Sequence, residues 1–391
     1  MTYDSAFFDK GINRSGTNSV KWGARDVMQE GIIPLWVADM DFAAAEPIRQ
    51  ALIKRAEHAS YGYTYAGPED MEALAGFWRR RHKTHFTPEM TLMLPTVVAG
   101  LRACVNTLTQ AGDGVIIQTP VYGPFSASVR ENGRVVMDAE LLRGDDGRYR
   151  MNFDAIERFL NQGARLMILC NPHNPVSRAW SQEELRALIV LLKRYKARLV
   201  SDEIHADFVY APKEFTSILS LPEAAEDTIS LVSASKTFNV AGLQQATAVC
   251  RDADTLSMLS RFLERNGIHS GNIFALAATR AAYNECDDWL DSLLSYLGEN
   301  RTLLRQLLEG LLPRATLTPI EATYLAWVDI RPYEDACHEI GSRCKKHGVA
   351  LTNGQFFGKG AGDGFMRLNF GCPKAQLTEG VHRFAKAIKE G

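Results

Sequence analysis

Short apolar runs alternate with a helical pattern through the middle of this chain, and that alternation restricts the fold more than any other feature. Ser181 and Glu184 form a capping box that begins a helix, in which Leu185, Leu188 and Leu192 recur at helical spacing. Each apolar run is short enough for one buried strand; the runs are Val115–Ile117, Leu166–Cys170, Leu199–Val200, Ile229–Val232 and Ala246–Cys250. Strand, crossover helix and strand in succession predict an α/β fold, with a mostly parallel sheet flanked by helices on both faces.

The length indicates more than one domain. A chain of 391 residues exceeds what one hydrophobic core serves at roughly 150 residues per domain. We predict an N-terminal segment at 1–50 that packs with a small domain, a large domain at 51–285, and a small α+β domain at 286–391. In the small domain, an amphipathic helix is expected over Trp289–Leu312 and strands over Thr323–Ile330 and Phe365–Phe370. Alternation in the last strand directs Arg367 away from the apolar layer.

Composition excludes several classes of partner. The formal net charge is −2, with 23% charged and 46% hydrophobic residues, so a nucleic-acid-binding surface is not expected. The N-terminus lacks a secretory pattern, and no stretch approaches the ~20 apolar residues that span a bilayer. Seven cysteines without a C-x-x-C pair and nine histidines without a ligand spacing predict reduced thiols and no metal site. We therefore expect a soluble, cytoplasmic protein without a membrane partner.

Polar residues of complementary chemistry follow three successive predicted strands. Asn174 follows one strand, Asp202 ends the next, and Ser233, Ser235 and Lys236 follow a third. Since open parallel sheets bind ligands beyond the carboxyl ends of their strands, these side chains are expected to converge. A lysine amine can form a Schiff base with an aldehyde, a carboxylate can keep a pyridine nitrogen protonated, and hydroxyls can bind phosphate. The set predicts a pyridoxal 5'-phosphate (PLP) site.

Further residues fit the same chemistry. The helix start at Ala99 and Gly100 presents backbone N–H groups suited to phosphate, with Gly100 allowing close approach. Tyr122 can stack on the pyridine ring, or be a half-buried core tyrosine. Arg367 can hold a substrate carboxylate as a fork, or be a surface arginine. His205 is either a hydrogen-bond partner behind the site or a satisfied core histidine.

These residues carry a family likeness. The chain resembles the fold-type I PLP enzymes of the class I/II aminotransferase superfamily over nearly its whole length, and within that superfamily it looks most like the MalY/PatB group of cystathionine β-lyases. The motifs that carry the resemblance are Ala38-Asp39-Met40-Asp41-Phe42, Tyr61-Gly62-Tyr63, Asn174-Pro175, Asp202-Glu203-Ile204-His205, Ser233-Ala234-Ser235-Lys236-Thr237-Phe238-Asn239, Thr323-Tyr324-Leu325-Ala326-Trp327 and Arg367-Leu368-Asn369-Phe370-Gly371-Cys372-Pro373.

The resemblance implies a homodimer with active sites at the subunit interface, where Tyr63 reaches the phosphate of the neighbouring subunit. It implies that Lys236 holds the cofactor, Asp202 the ring nitrogen, Asn174 the ring oxygen and Tyr122 the ring face. By the same likeness, the phosphate lies against Ser233, Ser235 and the Ala99-Gly100 backbone, and His205 is counted among the cofactor-binding residues. Lys236, Asp202 and Tyr122 are the catalytic candidates, and the substrate is expected to contact Ala38, Asn174, Tyr122 and Arg367.

Two positions depart from the wider aminotransferase pattern. Gln244 stands eight residues after Lys236, where many aminotransferases carry a phosphate-binding arginine. The phosphate is therefore expected to be held less by charge and more by neutral donors. Ser177 stands where the Asn-Pro-Thr-Gly turn usually has glycine, which affects only the local turn geometry.

The expected reaction is β-elimination from an S-substituted cysteine. Lys236 removes the Cα proton, a thiolate leaves, and the product hydrolyses to pyruvate and ammonia; L-cystathionine, which gives homocysteine, is the expected substrate. An aminotransferase is the alternative, because the same residues support return of a proton to the cofactor, and a regulatory protein that retains PLP is a minor one. Aromatic residues near Tyr61, Tyr65, Phe356 and Phe357 form either a wall for the distal side chain or ordinary core packing.

Overall fold

The computed structural model describes residues 2–23, 31–269, 271–333 and 339–390. The strands are β1 (Ile33–Pro34), β2 (Thr91–Leu94), β3 (Gly114–Ile117), β4 (Val135–Asp138), β5 (Leu142–Arg143), β6 (Tyr149–Arg150), β7 (Leu166–Cys170), β8 (Arg198–Asp202), β9 (Ile229–Val232), β10 (Ala246–Cys250), β11 (Thr316–Leu317), β12 (Leu325–Asp329), β13 (Val349–Ala350), β14 (Thr352–Asn353) and β15 (Phe365–Asn369). The helices are α1 (Ser5–Asp9), α2 (Val20–Gly23), α3 (Glu46–Glu57), α4 (Pro68–His82), α5 (Val97–Leu108), α6 (Pro124–Arg130), α7 (Phe153–Asn161), α8 (Gln182–Arg194), α9 (Ala234–Thr237), α10 (Ala253–Arg265), α11 (Ile273–Glu285), α12 (Asp287–Leu311), α13 (Ile340–Lys346) and α14 (Lys374–Lys389).

A seven-stranded sheet in the order β2-β10-β9-β8-β7-β3-β4 forms the centre of the molecule. Strands β9, β8, β7, β3 and β4 pair in parallel, whereas β10 is antiparallel to both β9 and β2. The prediction of a mostly parallel sheet is confirmed. Helix α8 begins at the Ser181–Glu184 capping box and connects β7 to β8, which completes the predicted β-helix-β unit.

Alternate side chains of the central strands enter two separate cores, one on each face of the sheet. In β7, Met167 and Leu169 belong to one core, and Ile168 and Cys170 to the other. Helices α7 and α8 cover the first face, while α5, α6 and α10 cover the second. Because both faces are buried, the strands are continuous apolar runs rather than alternating ones, which explains why the sequence pattern identified them.

A smaller antiparallel sheet, in the order β11-β12-β15-β14, lies toward the C-terminus. Strands β12 and β15 confirm the two predicted there, with shorter bounds. Strand β12 begins only at Leu325 because Thr323 has a left-handed backbone with φ of 65°. In the N-terminal segment, β1 pairs in parallel with β13. The division at 1–50, 51–285 and 286–391 stays a prediction.

The described residues bear on two predictions, the one about reduced thiols and the one about bilayer-spanning stretches. Among these, no helix has the length and apolar character needed to cross a membrane. The cysteines there are free and buried, and Cys250 lies wholly in the core. Cys337 lies outside the described residues. The cytoplasmic location stays a prediction.

Candidate active site

A cavity of about 440 Å³ lies beyond the carboxyl ends of β7, β8 and β9. On the other side it is lined by the segment that follows β1, and by Arg367 from strand β15. The residues that line it are Trp36, Val37, Ala38, Pro95, Thr96, Val97, Val98, Tyr122, Cys170, Asn174, Asp202, Ile204, His205, Ser233, Ser235, Lys236, Ala241, Gln244, Gln245, Thr352, Phe356 and Arg367. Most of the sequence-predicted site residues therefore meet at one cavity, although they are spread over more than three hundred residues of chain.

Lys236 enters the cavity from the four-residue helix α9, which follows β9. The side chain of Ser233 caps this helix by accepting a hydrogen bond of 3.1 Å from the Ser235 N–H. The Lys236 Nζ donates to the Ala38 backbone oxygen at 2.7 Å. Burial lowers the pKa of the Lys236 amine; the nearby Asp39 raises it and Arg367 lowers it further. The shielded environment that a nucleophilic lysine needs is therefore present.

Asp202 ends β8 and is 5% exposed. Its Oδ1 accepts a hydrogen bond of 3.1 Å from the Ile204 N–H. Burial raises the pKa of the Asp202 carboxyl to about 7, which outweighs the lowering by the Ile204 N–H and by Lys236. A buried carboxylate whose neighbours do not offset its desolvation is suited to a cationic ligand atom.

His205 lies in the same loop and is buried against aromatic rings. Its ring meets that of Tyr324 edge-on, with centroids 5.9 Å apart. Burial lowers the pKa of His205 to about 3, and the charges of Lys236 and Arg367 act in the same direction. The His205 Nδ1 is buried without a hydrogen-bond partner in the described part of the chain. His205 is thus a buried residue of the cavity wall, and its role at the cofactor stays a prediction.

Arg367 is 4% exposed, so its interpretation as a surface arginine is wrong. Its guanidinium donates to the Trp36 backbone oxygen at 2.6 Å, to Asn174 Oδ1 at 3.3 Å and to Thr352 Oγ1 at 3.3 Å. The guanidinium carbon lies 4.9 Å from the centroid of the Phe357 ring. Burial lowers the pKa of Arg367 to about 10. The group is held in place but remains charged at neutral pH.

The sequence did not indicate two of the groups that hold Arg367, namely Trp36 and Thr352. Trp36 acts through its backbone oxygen, which any residue would supply, so no motif could have identified it. Thr352 donates its hydroxyl to the same Trp36 oxygen at 2.9 Å, from a strand that pairs directly opposite Arg367. Strand pairing between 352 and 367 was the one signal that could have found it.

The helix start near the predicted phosphate position differs in detail from the expectation. The Ala99 N–H donates to the Thr96 hydroxyl at 3.0 Å, and the Gly100 N–H to the Thr96 backbone oxygen at 3.1 Å. At this helix start, the residues that line the cavity are Val97 and Val98, the first two residues of α5. Their N–H groups have no intrahelical acceptor.

Gly100 has a packing role that the sequence did not indicate. A Cβ at this position would lie 2.6 Å from the Cδ1 of Leu94, so glycine lets α5 approach the sheet. A role of the Gly100 backbone in phosphate binding stays a prediction. Ser233, in contrast, lies at the cavity and donates its hydroxyl to the Gln245 backbone oxygen at 2.6 Å.

The aromatic candidates separate into two groups. Tyr122 and Phe356 both line the cavity, with ring centroids 6.1 Å apart, while Phe357 lies buried beneath Arg367. Tyr61 and Tyr65 are exposed, so core packing is wrong for these two. Tyr63, in the same segment, is fully exposed and stands away from the cavity of its own chain.

The two departures from the wider pattern have clear positions. Gln244 lies at the exposed rim of the cavity. Ser177 adopts the left-handed backbone, with φ of 57°, that glycine would favour. Its hydroxyl donates to the Leu325 backbone oxygen, and its own backbone oxygen accepts from Glu321 and Ala322 at 3.0 Å each. Ser177 thus links the loop after β7 to the small sheet.

The cavity brings together the shielded Lys236 amine, the buried Asp202 carboxylate and the N–H groups at the start of α5. This combination defines an α/β enzyme site for an electrophilic, phosphorylated ligand. The chain matches the model of the aminotransferase class I and II family over residues 30–384, and it belongs to that family. The predicted fold-type I architecture is confirmed.

Named relatives narrow the comparison. The chain is 38% identical to cystathionine beta-lyase PatB of Bacillus subtilis, over 97% of this chain and 99% of the relative. It is 31% identical to protein MalY of Escherichia coli, over 98% of each. The crystal structure of the PLP-bound C–S lyase from Staphylococcus hominis superimposes with a TM-score of 0.90, at 30% identity, over 98% of this chain and 99% of that one. The predicted resemblance to the MalY/PatB group is confirmed.

Proposed function

We propose that this chain is a PLP-dependent carbon–sulfur β-lyase, which cleaves L-cystathionine and related S-substituted cysteines to a thiol, pyruvate and ammonia. The observation that carries the proposal is its 38% identity to a named cystathionine β-lyase over nearly the whole of both chains. The reaction predicted from the sequence agrees with that name. The geometry of the cavity supports it independently, since a shielded lysine and a fixed arginine face one space.

The residues at the cavity fit PLP. Asp202, buried with its pKa raised to about 7, is suited to a protonated ring nitrogen, and the Lys236 amine to an aldehyde carbon. The Ser235 hydroxyl and the start of α5 are suited to a phosphate. The Ser233 hydroxyl donates to the Gln245 backbone oxygen, so Ser233 contributes by shaping the start of α9 beside that phosphate position. When bound, PLP supplies an aldehyde that captures amines and a ring that withdraws electrons from the substrate Cα.

The protein's own residues transfer the proton and hold the substrate in place. Lys236 removes the Cα proton and later supplies a proton, and burial favours the free amine that this needs. Arg367 holds the substrate carboxylate through its guanidinium, while Asn174 orients that guanidinium at 3.3 Å. Tyr122, which lines the cavity, would lie against the face of the cofactor ring. The Ala38 backbone oxygen, 2.7 Å from Lys236 Nζ, fixes the position of the amine in the cavity.

The phosphate end supports a homodimer. Gln244 brings no positive charge. Among the described residues that line the cavity, Lys236 and Arg367 are the lysine and arginine side chains. Both serve other roles in the proposal. Tyr63 is fully exposed in the single chain, and an exposed tyrosine beside Tyr61 and Tyr65 is suited to burial against a second copy. We place Tyr63 at the phosphate of the partner subunit.

The testing experiment follows pyruvate and free thiol from L-cystathionine, without any 2-oxoacid. We expect equimolar pyruvate and thiol from the wild type and from Lys193→Ala, which removes an exposed amine from α8, and neither product from Lys236→Ala. Conversion of added amino acids to 2-oxoacids, with no thiol released from cystathionine, would instead identify an aminotransferase. Retention of elimination in Lys236→Ala would refute the assignment of the base.

A further inference from the structure

The two segments that carry Asp202 and Lys236 leave the sheet side by side. Strands β8 and β9 remain paired up to Asp202 and Leu231. Beyond that point each of the two segments turns toward the cavity. The distance between the carboxylate and the amine therefore depends on how these turns are held together after strand pairing ends. One hydrogen bond in this region lies on the side of the turns away from the cavity.

Thr237, the residue after Lys236, donates its hydroxyl to Asp207 Oδ2 at 2.6 Å. Asp207 lies with His205 in the loop that follows Asp202, the last residue of β8. Thr237 is 1% exposed and is outside the set that lines the active-site cavity. A short hydroxyl-to-carboxylate bond in a buried setting is stronger than a neutral one. The bond thus connects helix α9, which carries Lys236, to the loop after Asp202 on the side away from the cavity.

The carboxylate of Asp207 is fixed at its other oxygen too. The His82 Nε2 lies 2.9 Å from Asp207 Oδ1. The His82 ring is itself packed between Trp78 and Phe215, with ring centroids 4.8 and 5.0 Å away. His82 is the last residue of the fifteen-residue helix α4. The tie therefore ends in a rigid element rather than in a mobile loop.

We propose that Asp207 is a positioning residue, which acts through Thr237 to hold Lys236 in register with Asp202. The inference rests on the proposed function for the role of Lys236. The reacting atoms of a proton transfer must lie within hydrogen-bond reach, and a displacement of about 1 Å can lower the rate on the order of 100-fold. Because Thr237 stands directly next to Lys236 in α9, loss of its bond moves the base before it moves the substrate site at Arg367.

The test uses Thr237→Val, which removes the hydroxyl and keeps the shape. Its matched control is Thr255→Val, because Thr255 is 0% exposed and donates to the Asp252 carboxylate at 2.5 Å, far from the cavity, at the start of α10. Thr237→Ser, which restores the hydroxyl, is the rescue. For each protein we would measure kcat, KM, the kinetic isotope effect of Cα-deuterated substrate, and the rate at which cofactor-free protein captures PLP, followed by absorbance.

For Thr237→Val we expect kcat to fall roughly 10- to 100-fold with little change in KM, as for displaced groups that support a site. The isotope effect should rise, because proton removal becomes slower, and capture of PLP by the cofactor-free protein should slow as well. Thr237→Ser should recover most of each quantity, and Thr255→Val should match the wild type.

Equal kinetics, isotope effects and capture rates in Thr237→Val and Thr255→Val would overturn the proposal. If Thr237→Val does not fold, Asp207→Ala takes its place, since alanine removes the acceptor of the Thr237 hydroxyl; an unchanged isotope effect and capture rate there would also overturn the proposal. Capture of PLP tests the inference without the reaction. A wild type that captures PLP but eliminates no thiol would count against the proposed function alone.

Discussion

Replacement of Arg367 by lysine tests the substrate end of the cavity most directly. The guanidinium carries two terminal nitrogens, one directed at Asn174 and the other at the Trp36 oxygen and Thr352. A lysine amine is a single point charge on a narrower stem, so it cannot contact a carboxylate in fork geometry. The substitution keeps the charge and removes the shape.

The magnitude follows from the contacts. Loss of one charge-assisted hydrogen bond costs about 1.5–3 kcal/mol, and loss of the stacking over Phe357 at 4.9 Å adds about 0.5–1 kcal/mol. The total of roughly 2–4 kcal/mol corresponds to a fall in kcat/KM of roughly 30- to 700-fold.

The assay compares S-methyl-L-cysteine with S-methyl-L-cysteinamide, in which the carboxylate is replaced by an amide. The wild type should strongly favour the acid, whereas Arg367→Lys should lose most of that preference. Arg143→Lys is the control, because Arg143 likewise pairs with a carboxylate, Asp329 at 2.9 Å, and lies over the Phe365 ring but outside the cavity. An unchanged preference for the acid in Arg367→Lys would refute the carboxylate assignment.

Three further predictions concern pH, backbone and charge. Burial raises the pKa of Asp202 to about 7, so in the cofactor-free protein its stabilising contribution is fully present below its unfolded pKa near 4 and is lost as pH rises through 7. Between pH 5 and 8, urea unfolding should therefore show the wild type losing roughly 2–3 kcal/mol of unfolding free energy relative to Asp202→Asn. Identical pH profiles for the two proteins would contradict this. Ser177→Ala keeps the left-handed backbone and loses the bond to Leu325, so thermal unfolding should find it less stable than Ser177→Gly by about 1 kcal/mol; the reverse order would contradict the reasoning. Gln244→Arg adds a cation at the cavity rim and should tighten PLP binding roughly 5-fold, with the gain lost at high salt, whereas a gain insensitive to salt would exclude the electrostatic cause.

Local patterns in the sequence were sufficient for much of the fold. The bounds of β7, β9 and β10 match the apolar runs, because strands buried on both faces leave an uninterrupted apolar signal. The capping box at Ser181 placed the start of α8 for a similar reason, since its residues bond one another within one turn. Such features need only neighbours along the chain, so they can be predicted without the rest of the molecule.

Some contacts at the site depend on approach between distant segments. The Arg367 guanidinium bonds a backbone oxygen of Trp36, and the carbonyl of any residue would serve, so residue type carries no signal there. The packing reason for Gly100 became visible only when Leu94 was placed beside it. The same holds for His205, whose side-chain surroundings depend on Tyr324, the residue before β12.

The sequence by itself determined the strand-helix-strand order, the residues at the strand ends and the chemistry that those residues can perform, because periodicity and side-chain identity are properties of the chain alone. Only the tertiary structure decided which groups are shielded, which nitrogen and oxygen atoms meet, and that Thr237, Asp207 and His82 form one connected tie behind the lysine. Burial and hydrogen-bond geometry depend on segments far apart in sequence, and these quantities set the pKa values and positions on which catalysis depends.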